Sequence, residues 1–246
     1  MQVNSVGAGQ GAGWFKCGWD LFKQDFGTWL IMFLLFIGLS IVLSLIPYIG
    51  SPALTIITPA LLGGFMYAAA EMDKGNSINI GQLFEGFREK GRMYRLLKLG
   101  AIYLLAQFLI MAVMISLVGG NAMTSAGESG EFDPQTMMTS GMAFSMLLVF
   151  LIGAIIMFGF IYATPLVMLD NSPPFEAIKA SYSAGFKNML PLLVFGLVYI
   201  LLAIVATIPF FLGFLLLIPV SMLALYCSYK SIFYNKNDPA HPAIRT

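Results

Sequence analysis

Charge is what this sequence has least of: Asp, Glu, Lys and Arg make up 10% of its 246 residues, and there is one histidine. With a formal net charge of +1, no overall field points to nucleic acid or to an acidic substrate, so any electrostatic message lies in where the charges sit. The single His241 stands between Ala240 and Pro242 near the C-terminus. It has no His or Cys neighbour with which to build a metal site. Cysteine is almost as scarce, and Cys17 and Cys227 both fall in the half that the charge pattern places in the cytoplasm, so no disulfide is expected. The first thirteen residues lack a basic n-region and a small-residue cleavage site, which argues against a cleavable signal and leaves insertion to the first apolar run. Gln2 after Met1 rules out the usual myristoylation pattern. Gly7, Gly9, Gly11 and Gly13 look like a phosphate loop, but no preceding strand and no later acidic residue on a second strand supports a dinucleotide fold. A flexible N-terminal arm is the expectation.

What the chain has in excess is apolar surface. Hydrophobic residues make up 59% of it and mean hydropathy is +0.84, far above a soluble domain of average composition. A bilayer core of about 30 Å needs roughly 20 apolar residues per helix, and about six such runs can be placed. The expected architecture is all-α: a single polytopic membrane domain over residues 1–246, with six transmembrane helices, three interfacial amphipathic helices and parallel pseudo-repeats.

The first unit, 14–74, sets the pattern. From Trp14 to Phe26 the apolar Trp14, Phe15, Gly18, Trp19, Phe22 and Phe26 recur at helical spacing, with Lys16, Asp20, Lys23 and Gln24 on the other face. Such a helix lies in the interface plane with its rings at the acyl boundary, or alternatively packs on protein. A span from Thr28 to Tyr48, a Pro/Gly turn and a second span from Pro52 to Ala70 follow. On the second span Ala60, Gly64 and Ala68 form a small-residue stripe that admits a neighbouring backbone, and Pro59 should kink it.

In the second unit, 79–170, Asn79 to Arg95 reads as another amphipathic segment, opened by the capping pair Asn79 and Gln82. Arg88, Lys90, Arg92, Arg95 and Lys98 gather there as a candidate contact for anionic lipid headgroups or an acidic partner. Gln107, on the span from Leu96 to Gly119, is the most polar side chain placed at depth and a candidate intramembrane contact, more in keeping with a bond between helices than with substrate binding. A loop from Gly120 to Ser140, with Glu128, Glu131 and Asp133 and no basic residue, should lie on the far side. The return span runs from Gly141 to Leu169, long enough to tilt, with Asp170 at its exit.

The third unit, 172–234, opens with Ser172 and Pro173 as a helix cap. It continues through an amphipathic helix carrying Phe175, Ile178, Tyr182 and Phe186, and ends in a hairpin of Leu190 to Leu212 and Gly213 to Tyr229. Lys230, Lys236 and Arg245 then belong to a polar tail, of which 235–246 is cytoplasmic. A shift of 160 residues superimposes Phe15 on Phe175, Phe22 on Tyr182, Phe26 on Phe186, Pro59 on Pro219, Gly64 on Ala224 and Ala68 on Ser228, the order expected of a duplication. All 13 Lys and Arg residues fall on one side of this layout, which by the positive-inside rule is the cytoplasm, with both termini.

Three stretches, GAGWFKCGWDLFKQDFGTWL, LFEGFREKGRMYRLLKLG and TPLVMLDNSPPFEAIKASYSAGFKNMLPLL, resemble an uncharacterised family of six-helix inner-membrane proteins of Gram-negative bacteria. That family is akin to the membrane domain attached to some bacterial glycerophosphodiester phosphodiesterases. The resemblance implies a bacterial inner membrane and a non-catalytic module, and carries no functional residues. No Asp, Glu, Lys, Arg or His falls in mid-bilayer, where a coupled transporter would keep one, and no nucleophile with a base, metal set or carboxylate pair is apparent. The expectation is therefore a non-enzymatic integral inner-membrane protein without catalytic, metal or cofactor residues: a scaffold, an assembly factor or a lipid- or envelope-associated binding protein. Its partners would be anionic membrane lipids and a membrane protein or a second copy of itself, not nucleic acid. The alternative is a transporter or channel for a lipid or small apolar molecule.

Overall fold

The computed structural model describes residues 3–125 and 140–234. Glu128, Glu131 and Asp133 of the long loop and Lys236, His241 and Arg245 of the tail lie outside these. Among the described residues there are nine α-helices, one 3-10 helix and no strand. In chain order they are α1 (Gln10–Gln24), α2 (Phe26–Ser44), α3 (Gly50–Asp73), the 3-10 helix (Ile80–Phe87), α4 (Lys90–Ser125), α5 (Ser140–Phe160), α6 (Ala163–Leu169), α7 (Pro174–Lys187), α8 (Met189–Thr207) and α9 (Phe214–Phe233). Six stretches are long and apolar enough to cross a membrane: α2, α3, Lys90–Leu117 of α4, Phe144–Leu169 across α5 and α6, α8 and α9. The protein is a membrane protein with six candidate spans.

The second helix of each pair is the inner one. Along α3 the small residues Ala60, Ala68 and Ala69 are fully buried, as are Ala163, Leu166 and Val167 on α6 and Ala224 and Ile232 on α9. The outer helices keep large side chains exposed on their outward faces, among them Leu34 and Val42 on α2, Leu105 and Ile115 on α4 and Leu197 and Leu201 on α8. Such surfaces are stable only against hydrocarbon.

The amphipathic segments seal this bundle at one end. The face of α1 carrying Trp14, Phe15, Gly18 and Phe22 is buried against α8 and α9: Phe15 stacks on Phe195 at 4.7 Å and Trp14 Nε1 donates to Ser231 Oγ at 2.9 Å. A Cβ on Gly18 would lie 2.6 Å from the Ala224 nitrogen and 2.7 Å from the Val220 oxygen, so only glycine permits this approach. These rings therefore pack on protein, and of the set expected at the acyl boundary only Trp19 and Phe26 are exposed. The 3-10 helix docks on α3 through the small-residue stripe, with Gly86 against the Ala60 backbone and Gly64 against that of Leu83. In turn α7 lies on α5 and α6, with Tyr182 against Gly159 and Phe158 against Gly185. Each amphipathic segment thus rests on the inner helix of another pair.

Several boundaries differ from the sequence reading for local reasons. Asn79 N–H donates to Gln82 Oε1 at 3.2 Å, the cap that was expected. The segment it opens nevertheless runs as a 3-10 helix only to Phe87, and the helix that crosses already begins at Lys90. The long return span breaks at Ile161 and Tyr162 because Ser181 from α7 enters its ladder, accepting Tyr162 N–H at 3.0 Å and donating to Phe158 O at 2.6 Å. Pro165 deepens the break, since it has no N–H for the Ile161 carbonyl. Pro173, not Ser172, is the N-cap of α7, and no side chain caps it.

The N-terminal arm is tied down rather than free. Val6 N–H donates to Asn188 Oδ1 at 2.9 Å, Asn188 Nδ2 donates to Asn4 O at 2.9 Å, and Asn4 N–H donates to Ile232 O at 2.8 Å. Cys17 and Cys227 are joined in a disulfide with 6.3 Å between their Cα atoms, against the expectation of free thiols. Docking α1 along α9 brings the two cysteines together from 210 positions apart, which composition alone could not reveal.

Candidate functional site at the basic end

Every Lys and Arg among the described residues lies at the end where α3, α6 and α9 finish and α4 and α8 begin. The polar chemistry gathers there too. Asp73 closes α3 and Asp170 is the C-cap of α6, and both meet side chains from the last turns of α9. Tyr226 OH donates to Asp73 Oδ2 at 2.9 Å, and Lys230 forms a charge-assisted bond to the same oxygen. Tyr229 and Tyr234 donate to the two oxygens of Asp170, and their hydroxyls lie 3.1 Å apart. Just below, Tyr162 OH donates to Ser228 Oγ at 3.1 Å.

The sequence does not announce this convergence, since Lys230 reads there as part of a polar tail and Asp170 as the exit of a span. Lys230 belongs to α9 and its side chain is only 7% exposed. Its partner is 157 positions away, so no local spacing announces it. Buried charges persist only when paired and hydrogen-bonded. Asp73 and Asp170 meet that condition through donors from a third helix, which makes the cluster a clasp across three inner helices.

The basic stripe proves to be partly spent. Arg88 pairs with Glu85 at 3.1 Å and Arg92 with Glu89 at 3.0 Å, each within its own turn. Arg95 donates to the carbonyl and side-chain oxygens of Asn171, a residue with a positive φ of 56°. Lys98 sits 5.5 Å from the centroid of the Phe175 ring, a cation–π contact. Lys90 is exposed and enters no ion pair among the described residues. The five residues do share one face of the molecule, but three of them are committed to protein oxygens. Gln107 is exposed on the outer side of α4 and makes no hydrogen bond among the described residues, so it does not join neighbouring helices there.

A second feature is an apolar cavity of about 540 Å³ beneath α1, between α8 and α9. Phe15 and Trp19 roof it, Leu202 and Val205 form one wall, and Leu216 and Val220 form the other. Among the described residues no group of three His, Cys, Asp or Glu side chains comes together to hold a metal.

With this geometry in place, comparison with known proteins gives one informative relative. The chain is 25% identical over 264 aligned positions, covering 99% of this chain and 98% of the other, to a probable inner membrane protein of Burkholderia thailandensis. No protein-family model matches the chain, and no solved structure matches it. None of these comparisons links it to glycerophosphodiester phosphodiesterases.

Proposed function

We propose that this is a non-enzymatic, multi-pass protein of a bacterial inner membrane, acting as a scaffold or as a lipid- or envelope-associated binding protein. One observation carries the reading: the half-buried carboxylates of Asp73 and Asp170, the natural starting points for catalysis or ion coupling, are held by Tyr226, Lys230, Tyr229 and Tyr234. A carboxylate so held joins one helix to another and stabilises a shape. The end-to-end match to a protein named as a probable inner membrane protein supports the compartment. The one-sided placement of Lys and Arg supports cytoplasmic termini by the positive-inside rule. In this reading the chain consists of three parallel units, and Lys90, Lys98 and the outer edge of the arginine stripe meet anionic headgroups. The relation to the membrane domain of phosphodiesterases stays part of the proposal only as an analogy of architecture.

Purification in a mild detergent tests it. The protein should carry phospholipid or a membrane-protein partner, and a chain that emerges alone and lipid-free would refute the reading. The alternative, a transporter for a lipid or small apolar molecule, draws on the apolar cavity beside α1. Transbilayer movement of labelled lipid in proteoliposomes distinguishes it.

A further inference from the structure

We infer that the cavity beneath α1 is a dedicated site for one acyl chain of a membrane phospholipid, with its phosphate at the Lys16 side of that helix. This deepens the lipid-binding reading and rests on it. The site exists because α8 and α9 do not pack along their whole length. They meet near their turn, where Gly213 abuts Ala206, and at the other end α1 bridges them through the Phe15–Phe195 stack and the Gly18 contact with Val220 and Ala224. Between these two closures the helices leave about 540 Å³, within the range of about 300–1,000 Å³ typical of ligand pockets.

The interior of the cavity is buried and the mouth is open. Phe15, Ala206, Leu217 and Val220 are each less than a tenth exposed, whereas Val205, Ile208 and Trp19 at the rim are 59%, 76% and 43% exposed. Because α8 and α9 are candidate spans, the mouth faces hydrocarbon, and the medium available to fill it is lipid. A void of this size in an apolar wall forfeits contacts if nothing enters.

The roof supplies what a headgroup needs. Trp19 has the amphipathic ring that settles at the membrane boundary. Lys16 lies one turn earlier on the same helix, is exposed, and has no ion-pair partner among the described residues. Lys23, by contrast, is paired with Asp20 at 3.0 Å. Of the two lysines within a turn of Trp19, Lys16 is therefore the one whose charge is free to meet a phosphate. The Cys17–Cys227 bond ties the roof to α9 between these two lysines.

The test is native mass spectrometry of the full chain purified from bilayers of phosphatidylethanolamine and phosphatidylglycerol, with occupancy read after detergent exchange. One phospholipid per chain should persist. Ala206→Phe, which fills the floor, and Leu216→Trp, which fills the rim from the opposite wall, should each lower that occupancy at least tenfold. Lys16→Gln should lower it severalfold and more for phosphatidylglycerol than for phosphatidylethanolamine. Arg88→Gln with Lys90→Gln should leave it unchanged while weakening binding to anionic vesicles, which separates this site from the basic-face reading. Wild-type occupancy in both folded filling variants would overturn the proposal. So would crosslinks from Leu216 to a second copy or to another protein's helix in place of lipid.

Discussion

Replacing Lys230 by Met tests the clasp directly. The substitution keeps most of the side-chain volume but leaves Asp73, itself only 16% exposed, with a single neutral donor among the described residues, Tyr226. Removing one partner of a buried ion pair costs about 3–5 kcal/mol, most of it the penalty for the charge left behind. The retained Tyr226 bond offsets about 1 kcal/mol of this, so a loss of about 3 kcal/mol is expected. For a chain of this size about 2–4 °C of midpoint accompanies each kcal/mol, so unfolding followed by tryptophan fluorescence in detergent should fall by about 6–12 °C. The double variant Asp73→Leu, Lys230→Met removes both charges and should recover at least half of that shift, since apolar replacement of a buried pair is often neutral. If Lys230→Met melts within about 1 °C of the parent, or if the two single losses simply add in the double variant, Asp73 and Lys230 do not act as a coupled pair.

Three further outcomes follow from the packing. Gly18→Leu should lift α1 from α9, because its side chain would collide with the Val220 and Ala224 backbone, and trypsin should then cut at Lys16 and Lys23 many times faster than in the parent; equal cleavage rates would contradict the dock. Alkylation of unfolded protein before and after reduction should show both cysteines blocked until reductant is added, as the Cys17–Cys227 bond requires, whereas two labelled thiols without reductant would contradict it. Gln107→Leu should change stability by less than about 0.5 kcal/mol, as for other substitutions on an outer face, because the amide makes no hydrogen bond among the described residues; a larger loss in thermal melts would mean that it has an interhelical partner.

The spans were legible in the sequence because a hydrocarbon core imposes a single demand, length with apolarity, and runs such as 28–48 and 190–212 meet it without reference to any other part of the chain. The amphipathic segments were legible as amphipathic but not in what their apolar faces touch. Phe15 and Phe22 on α1 are buried, while Phe175 and Phe186 on α7 are 56% exposed, although the same spacing marks both helices. A face that suits acyl chains equally suits another helix, and only the fold decides. The partners of the aspartates were hidden for a different reason. Asp73 and Asp170 end their helices beside polar neighbours, as solvated residues do, and the donors that hold them come from α9, one of them 157 positions away. The break at Ile161 was equally hidden, because its cause is a serine on α7 and not a proline alone.

The order in which the segments dock has a consequence for assembly. The 3-10 helix rests on α3 and α7 rests on α5 and α6, so each amphipathic segment leans on an inner helix made just before it. For α1 the order is reversed, since its partners α8 and α9 follow it by more than 160 residues. The bundle therefore closes on itself only after α8 and α9 have been made, through contacts of very long sequence separation, the kind that form late because loop closure must be offset first. Cys17–Cys227 spans that closure, and cross-linking a loop of about 200 residues stabilises by up to about 5 kcal/mol in the chain-entropy limit. Yet the bond lies at the end that carries the Lys and Arg residues, and if that end faces a reducing cytoplasm the thiol pool opposes it. The burial of Cys227, 1% exposed, slows attack on the bond but does not change the equilibrium. In that compartment the closure must hold by packing, through Gly18 against Ala224, Phe15 on Phe195 and the Trp14 bond to Ser231, with the disulfide adding to a junction already made.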